Sequence, residues 1–127
     1  MSSFELVIFD CDGALVDSET VALPVLGTML ADLGVELEIT EVHRRFGGLA
    51  IAQVMTAVAD TLGATPPAGF QAEFDRRAEE ALRSELVPID GVPELLAGLE
   101  LPFATASNAA TVEIHANLGF AGLSHFF

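Results

Sequence analysis

The sequence predicts an α/β protein in which a helical segment interrupts an open parallel sheet after its first strand. Two short apolar runs, "FELVIF" (4–9) and "LPFATASN" (101–108), have the β-branched and aromatic character of buried strands in a parallel sheet. Residues 18–86 between them show helical periodicity. The order of strand, helical insert, helix, strand and helix is typical of βαβ sheets, which bind ligands at the carboxyl ends of their strands.

The first strand is expected to be buried on both faces, and the next helix to run from an N-cap at Ser18 to about Asp32. Pro24 either kinks this helix or marks its first turn, and Gly34 ends it. The predicted apolar stripe of this helix consists of Ala22, Leu26, Met29, Leu30 and Leu33.

Three further helices are predicted in the insert. Residues 40–48, "TEVHRRFGG", form a short helix that ends at its glycines, and residues 50–62 form a second that ends at Gly63. After the loop "ATPPAG", residues 70–86 form the third. The positions expected to face inward in the last two helices are Ile51, Val54, Met55, Val58, Leu62, Phe70, Phe74, Ala78, Ala81 and Leu82.

The remaining residues return to the sheet. Residues 87–99 predict a turn and a short helix, residues 101–108 the second buried strand, and residues 109–120 a helix that stops at Gly119. The short helix is expected to bury Val92, Leu95, Leu96 and Leu99.

Composition excludes several classes of function. The 127 residues carry a formal charge of −14, with five Arg and no Lys, which argues against nucleic acid and anionic membranes as partners. Neither a signal peptide nor an apolar stretch long enough to span a membrane is present, so a cytoplasmic protein is expected. Cys11 is the only cysteine, so no intrachain disulfide forms.

Two carboxylates, Asp10 and Asp12, directly follow the first strand. Burying a charge is costly unless a cation pairs with it, and the nearest candidate side chain, Arg44, is far along the chain. The pair therefore indicates a bound cation at the end of the strand. Cys11 lies between them on an extended segment, so its side chain is expected to point the other way and to serve packing.

These residues resemble a known family. "FDCDGALVDSE" (9–19) and "ATASN" (104–108) resemble the first two motifs of the haloacid dehalogenase (HAD) superfamily, and "IDGVPELLAGL" (89–99) resembles the helix before the second motif. The resemblance implies a Rossmann-like core, 1–15 and 87–127, with a helical cap, 16–86. Such a cap is found in the subgroup of phosphoglycolate-type and sugar-phosphate phosphatases and β-phosphoglucomutase.

The resemblance also implies a mechanism. Asp10 would attack phosphorus and form an aspartyl-phosphate, while Asp12 would protonate the leaving oxygen and then activate water. Mg²⁺ would contact the Asp10 carboxylate and the Asp12 backbone carbonyl. Ser107 and the adjacent Asn108 would bind the phosphoryl oxygens, and Gly13 would let the backbone turn close to them.

The implied reaction is hydrolysis of the phosphate monoester of a small metabolite such as 6-phosphogluconate. True dehalogenases lack the second carboxylate, Asp12, and the mutases carry His where this chain has Ala22, so a phosphatase is favoured over both. A non-catalytic remnant is the third alternative. Ala14 replaces the usual Thr of the motif, which is expected to weaken the site. The oligomeric state stays open.

Basic side chains are confined to the predicted cap. Arg45, with Arg44 beside it, would clamp the carboxylate of a sugar acid, and a solvated helix end is the alternative interpretation. His43, His115 and His125 are too scattered to suggest a metal site.

The predicted core carries seven acidic residues and no Lys or Arg, whereas the family has a later Lys and an acidic pair that complete its site. We therefore expect residues 1–127 to be the N-terminal portion of a longer enzyme or a truncated gene product. Alone, they are expected to bind Mg²⁺ weakly and to show no turnover.

Overall fold

The computed structural model describes residues 5–107 and 111–127. Strand β1 (Val7–Asp10) is followed by four helices, which are α1 (Glu19–Asp32), α2 (Ile39–Phe46), α3 (Ile51–Leu62) and α4 (Phe70–Glu85). Helix α5 (Val92–Gly98), strand β2 (Phe103–Ala106), helix α6 (Thr111–Phe120) and a 3₁₀ turn (Ser124–Phe126) come next. The predicted α/β order of strand, helical insert, helix, strand and helix is confirmed.

The chain divides into two compact units. Unit 1 comprises Met1–Ser18 and Leu82–Phe127 and contains both strands, and unit 2 comprises Glu19–Ala81 and is helical. In the part of the chain that the structure describes, each helix is too short or too polar to cross a lipid bilayer.

Unit 2 is built around one apolar core to which all four of its helices contribute. Most of the predicted inward positions belong to this core, but Leu33 and Ile51 are 41% and 42% exposed. Leu33 lies beyond the end of α1 and Ile51 is the first residue of α3, so neither is held on the inner face of its helix. The buried core residues are Leu23, Leu26, Met29, Leu30, Val42, Phe46, Val54, Val58, Phe70, Phe74 and Ala78.

Pro24 lies inside α1 and does not mark its first turn, because the helix begins five residues earlier at Glu19. The carbonyl oxygen of Pro24 accepts a hydrogen bond from the Thr28 hydroxyl at 3.1 Å. The helix continues to Asp32 because its inner residues, such as Leu26 and Leu30, are fully buried.

The sheet of unit 1 is parallel, as predicted, with Val7 opposite Phe103 and Asp10 opposite Ala106. The expected burial of both faces is wrong, because alternate residues of both strands are exposed and Ile8 is 63% exposed. Only the face that carries Phe9 is covered by described residues. On that face the Phe9 and Phe103 rings meet edge to face, with centroids 6.0 Å apart.

Helix α6 does not stop at Gly119, as the sequence suggested, but continues to Phe120. The left-handed turn that follows is made by Gly122, whose φ is +75°. The N–H of Leu123 then donates to the carbonyl oxygen of Leu118 at 2.8 Å, which is the closure expected after a helix that ends in a left-handed glycine.

Candidate active site

The site lies at the edge of the sheet where both strands end. Asp10 is the last residue of β1 and pairs with Ala106, the last residue of β2, so Asp10 and Ser107 lie at the same edge. Ser107 is half-buried. Asn108, the other predicted phosphate ligand, lies outside the described residues.

A tight loop follows Asp10 and fixes the backbone around the second carboxylate. The carbonyl oxygen of Cys11 accepts hydrogen bonds from the N–H groups of Leu15 and Val16 at 2.9 and 3.1 Å. The N–H of Gly13 donates to Val16 at 2.7 Å. Gly13 has φ of +81°, a conformation in which any residue with a Cβ is strained. Because Leu15 and Val16 are fully buried, the loop is anchored in unit 1.

Ser18 holds the carboxylate of Asp12. Both its backbone N–H, at 3.4 Å, and its hydroxyl donate to Asp12 Oδ1. The sequence indicated Ser18 only as a helix N-cap, and this second role depends on how the loop curls back over six residues. Asp12 is therefore restrained by a buried partner in its own unit.

Asp10 differs from Asp12 in its surroundings. Its side chain is exposed, and within the described residues its carboxylate accepts no hydrogen bond. The expectation that this charge is buried is wrong, because Asp10 is exposed. An exposed carboxylate at the end of a strand can contact a ligand.

Cys11 is buried, as predicted, and is only 2% exposed. Burial raises the pKa of its thiol, and the charges of Asp12 and Asp10 raise the pKa further. Because the thiolate is the nucleophilic form, Cys11 is a packing residue.

The oxygen atoms here form a donor set suited to Mg²⁺, which usually binds one or two carboxylates and completes its shell with water and substrate phosphate. Asp10 offers an exposed carboxylate. No backbone hydrogen bond within the described residues ends on the carbonyl oxygen of Asp12. Among those residues no group of three or more His, Cys, Asp or Glu side chains could enclose a metal ion, so a cage made entirely of protein ligands is absent there.

The remaining candidates lie elsewhere. Arg44 and Arg45 are on α2 of unit 2, where both pair with Glu41. Ala22 packs partly buried against the core of unit 2. Arg83, which the predicted boundaries assigned to the insert, belongs to unit 1, and its guanidinium lies 4.9 Å from the centroid of the Phe120 ring.

Comparison with known proteins gives this geometry a context. Residues 7–127 match the model of the haloacid dehalogenase-like hydrolases. The chain is 36% identical over 129 residues to the 6-phosphogluconate phosphatase of Escherichia coli, covering all of this chain and 58% of that protein. The chain thus spans little more than half the length of this relative.

Two solved structures resemble the chain closely. A HAD family hydrolase from Deinococcus radiodurans, with bound phosphate and sodium, has 32% identity and a TM-score of 0.80 over 99% of this chain and 56% of its own. A haloacid dehalogenase-like protein from Agrobacterium tumefaciens has 30% identity and a TM-score of 0.83 over 98% and 56%.

Proposed function

Because this chain belongs to the haloacid dehalogenase-like hydrolase family, we propose that its full gene product is a Mg²⁺-dependent phosphatase of small phosphorylated sugar acids. The observation that carries the proposal is the pair of carboxylates at the strand edge. Asp10 is exposed and has no hydrogen-bond partner among the described residues, whereas Asp12, two residues on, is held by Ser18.

Asp10 is proposed as the nucleophile. Its carboxylate oxygen attacks the phosphorus atom, the bond from phosphorus to the ester oxygen breaks, and an aspartyl-phosphate forms. The exposure of Asp10 supports this role, because an attacking oxygen must reach phosphorus without first losing a protein partner.

Asp12 is proposed as the general acid and base. In its protonated form it delivers a proton to the leaving oxygen, and as a carboxylate it removes a proton from the water that hydrolyses the aspartyl-phosphate. Ser18 supports this role by fixing Oδ1, which leaves Oδ2 as the oxygen that can exchange the proton. Gly13, Ser107 and Asn108 are the proposed contacts of the phosphoryl oxygens.

Mg²⁺ would be held by the Asp10 carboxylate and the Asp12 carbonyl oxygen, and it would neutralise charge on the phosphoryl group. The net charge of −14 repels a phosphate dianion, and a bound cation would offset part of that repulsion. The phosphate and sodium in the Deinococcus radiodurans relative support a site for an anion and a cation in this fold.

The substrate class follows from the Escherichia coli relative, which is named for 6-phosphogluconate. A sugar acid phosphate carries a carboxylate in addition to its phosphate. Arg45, on the helical insert proposed as a cap (16–86), is the candidate for binding that second acid group.

The test is made on the full product of the gene that encodes these residues. Phosphate release from 6-phosphogluconate is expected with Mg²⁺ and is expected to stop with a chelator. After rapid acid quench, peptide mass spectrometry should place the trapped phosphoryl group on Asp10. Absence of Mg²⁺-dependent phosphate release from sugar phosphates, or a phosphoryl group that maps to another residue, would contradict the proposal.

A further inference from the structure

The last turn of α2 carries two arginines that share one carboxylate. Arg44 donates through Nε to Glu41 Oε2 at 2.8 Å and through Nη2 to Oε1. Arg45 donates through Nε to the same Oε1 at 2.6 Å. The cluster of Glu41, Arg44 and Arg45 therefore has a net charge of +1.

The two arginines are not equivalent. Arg44 places two N–H groups on both oxygens of Glu41, so the bidentate edge of its guanidinium is occupied. Arg45 uses Nε on Glu41 and Nη1 on the Thr61 hydroxyl of α3, at 3.4 Å. Its Nη2 has no hydrogen-bond partner within the ranges that the structure describes. Arg45 is thus held at two points and keeps one nitrogen free for a ligand.

Thr61 is itself fixed. Its hydroxyl donates to the carbonyl oxygen of Ala57 at 2.7 Å, so the hydroxyl oxygen is oriented to accept from Arg45. Glu41 is also constant in charge, because hydrogen bonds from Arg44 and Arg45 lower its pKa to about 2. The arrangement does not change over the range of pH in which a cytoplasmic enzyme works.

We propose that Glu41 and Thr61 are positioning residues that orient Arg45 to bind a single carboxylate. We infer further that Glu41 restricts the anion bound there to one negative charge, because it neutralises Arg44. This inference rests on the proposed function and narrows its substrate class. The preferred substrate would be a phosphate monoester that carries one carboxylate, and a bisphosphate would be disfavoured.

The test measures binding of gluconate to the 127-residue chain. Gluconate is the sugar acid that remains when the phosphate is removed from 6-phosphogluconate. Nitrogen-15 NMR resolves the Nε–Hε signals of the five arginines, and Arg45→Lys assigns the signal of Arg45. Gluconate is expected to shift the Arg45 signal, and glucose, which lacks the carboxylate, is expected to leave it unchanged. The internal control is Arg76, an exposed helical arginine that pairs with two carboxylates, Glu73 and Glu80.

Variants separate positioning from general stability. Thr61→Val should weaken gluconate binding and Thr61→Ser should restore it. Glu41→Gln should raise the affinity for inorganic phosphate about fivefold, as expected for one more unit charge about 4 Å from an anion in water. A loss of structure would lower both affinities, so a gain for phosphate cannot arise from unfolding.

The inference is overturned if gluconate shifts Arg76 as much as Arg45, or if Thr61→Val binds gluconate like the unmodified chain. It is also overturned if Glu41→Gln does not bind phosphate more tightly. None of these measurements requires turnover. Failure here with intact phosphatase activity refutes only the subsite, and binding here without phosphatase activity refutes only the proposed function.

Discussion

The two units of this chain differ in how completely apolar side chains are buried and in how charged side chains are paired. Unit 2 encloses eleven buried residues from four helices, and its Glu41 and Glu73 are each paired with two arginines. Unit 1 leaves one face of its two-stranded sheet exposed, and its Asp10 carboxylate has no hydrogen-bond partner in the described residues. The better packed unit is thus also the one whose Glu41 and Glu73 carboxylates are already paired.

This difference shows where new contacts can form. A carboxylate that already accepts from two arginines has fewer lone pairs left for a ligand, whereas an exposed carboxylate loses only water. The strand edge of unit 1 is accordingly where the proposed chemistry lies. In unit 2, Nη2 of Arg45 also lacks a hydrogen-bond partner among the described residues.

The largest expected effect comes from the Asp10 carboxylate itself. In the full gene product, Asp10→Asn should lower the turnover number by about 10⁴-fold or more, the scale seen when a nucleophile or its base is removed. Asp12→Asn should still permit phosphoryl capture but slow departure of the leaving group. Glu100→Gln, an exposed change in the same unit, is the control. Normal turnover by Asp10→Asn would contradict the assignment of Asp10 as the nucleophile.

The next effect concerns packing. Phe46 is among the largest fully buried side chains of unit 2, so Phe46→Ala should lower the free energy of unfolding by about 3–5 kcal/mol. Ile8→Ala, on the exposed sheet face, should change it by no more than about 0.5 kcal/mol. Urea titration of the 127-residue chain by circular dichroism measures both. Equal losses would mean that the two units do not differ in packing.

A smaller effect is expected from the restraint on Asp12. Ser18→Ala removes a hydrogen bond to a charged group, which is worth about 1.5–3 kcal/mol, or roughly 10–100-fold in rate. If Asp12 donates the proton, the loss should be greater for phenyl phosphate than for nitrophenyl phosphate, whose leaving group needs no proton. Ser18→Thr, which keeps the hydroxyl, should be nearly normal. An equal loss on both substrates would argue that Ser18 serves only structure.

The smallest effect lies on the surface of unit 2. Hydrogen bonds from Arg76 and Arg77 lower the pKa of Glu73 from its ordinary 4.5 to about 2. The folded state therefore favours the ionised form, and this stabilisation is present above about pH 4.5 and is lost as the pH falls toward 2. Because the groups are exposed, the gain is small and is screened by salt.

Glu73→Gln should accordingly melt slightly below the unmodified chain at pH 7 and at the same temperature near pH 2. Differential scanning calorimetry at the two pH values measures the change, and Glu36→Gln, in an exposed loop, is the control. A difference in melting temperature that grows as the pH falls would contradict the sign of this pKa shift.

The helices of unit 2 could be predicted because they pack against one another. The spacing of apolar residues in each helix therefore marks the face that this shared core buries. The errors fall where that spacing loses meaning, at Leu33 after one helix and at Ile51 at the start of another. Gly119 was mistaken for a helix stop because a glycine within a helix and a glycine beyond its end look alike in sequence. Only the backbone shows that Gly122 adopts the left-handed conformation.

The site was predictable only in part. The alternation of Asp10, Cys11 and Asp12 after a strand indicated where polar groups meet, and the parallel register confirms that Ser107 lies at the same edge. Which sheet face is covered depends on contacts distant in sequence, so the exposure of Asp10 could not be foreseen. The bond from Ser18 to Asp12 depends on loop curvature, which has no periodic signal.

The burial of Cys11 provides a chemical probe of local opening in unit 1. It is the only thiol in the chain, it is buried although it lies between the two carboxylates in sequence, and its raised pKa keeps it protonated at neutral pH. A maleimide or iodoacetamide can therefore reach it only when the loop after Asp10 opens. The rate of alkylation therefore measures how often this part of unit 1 opens locally. Amide exchange in the helices of unit 2 can be timed in the same sample.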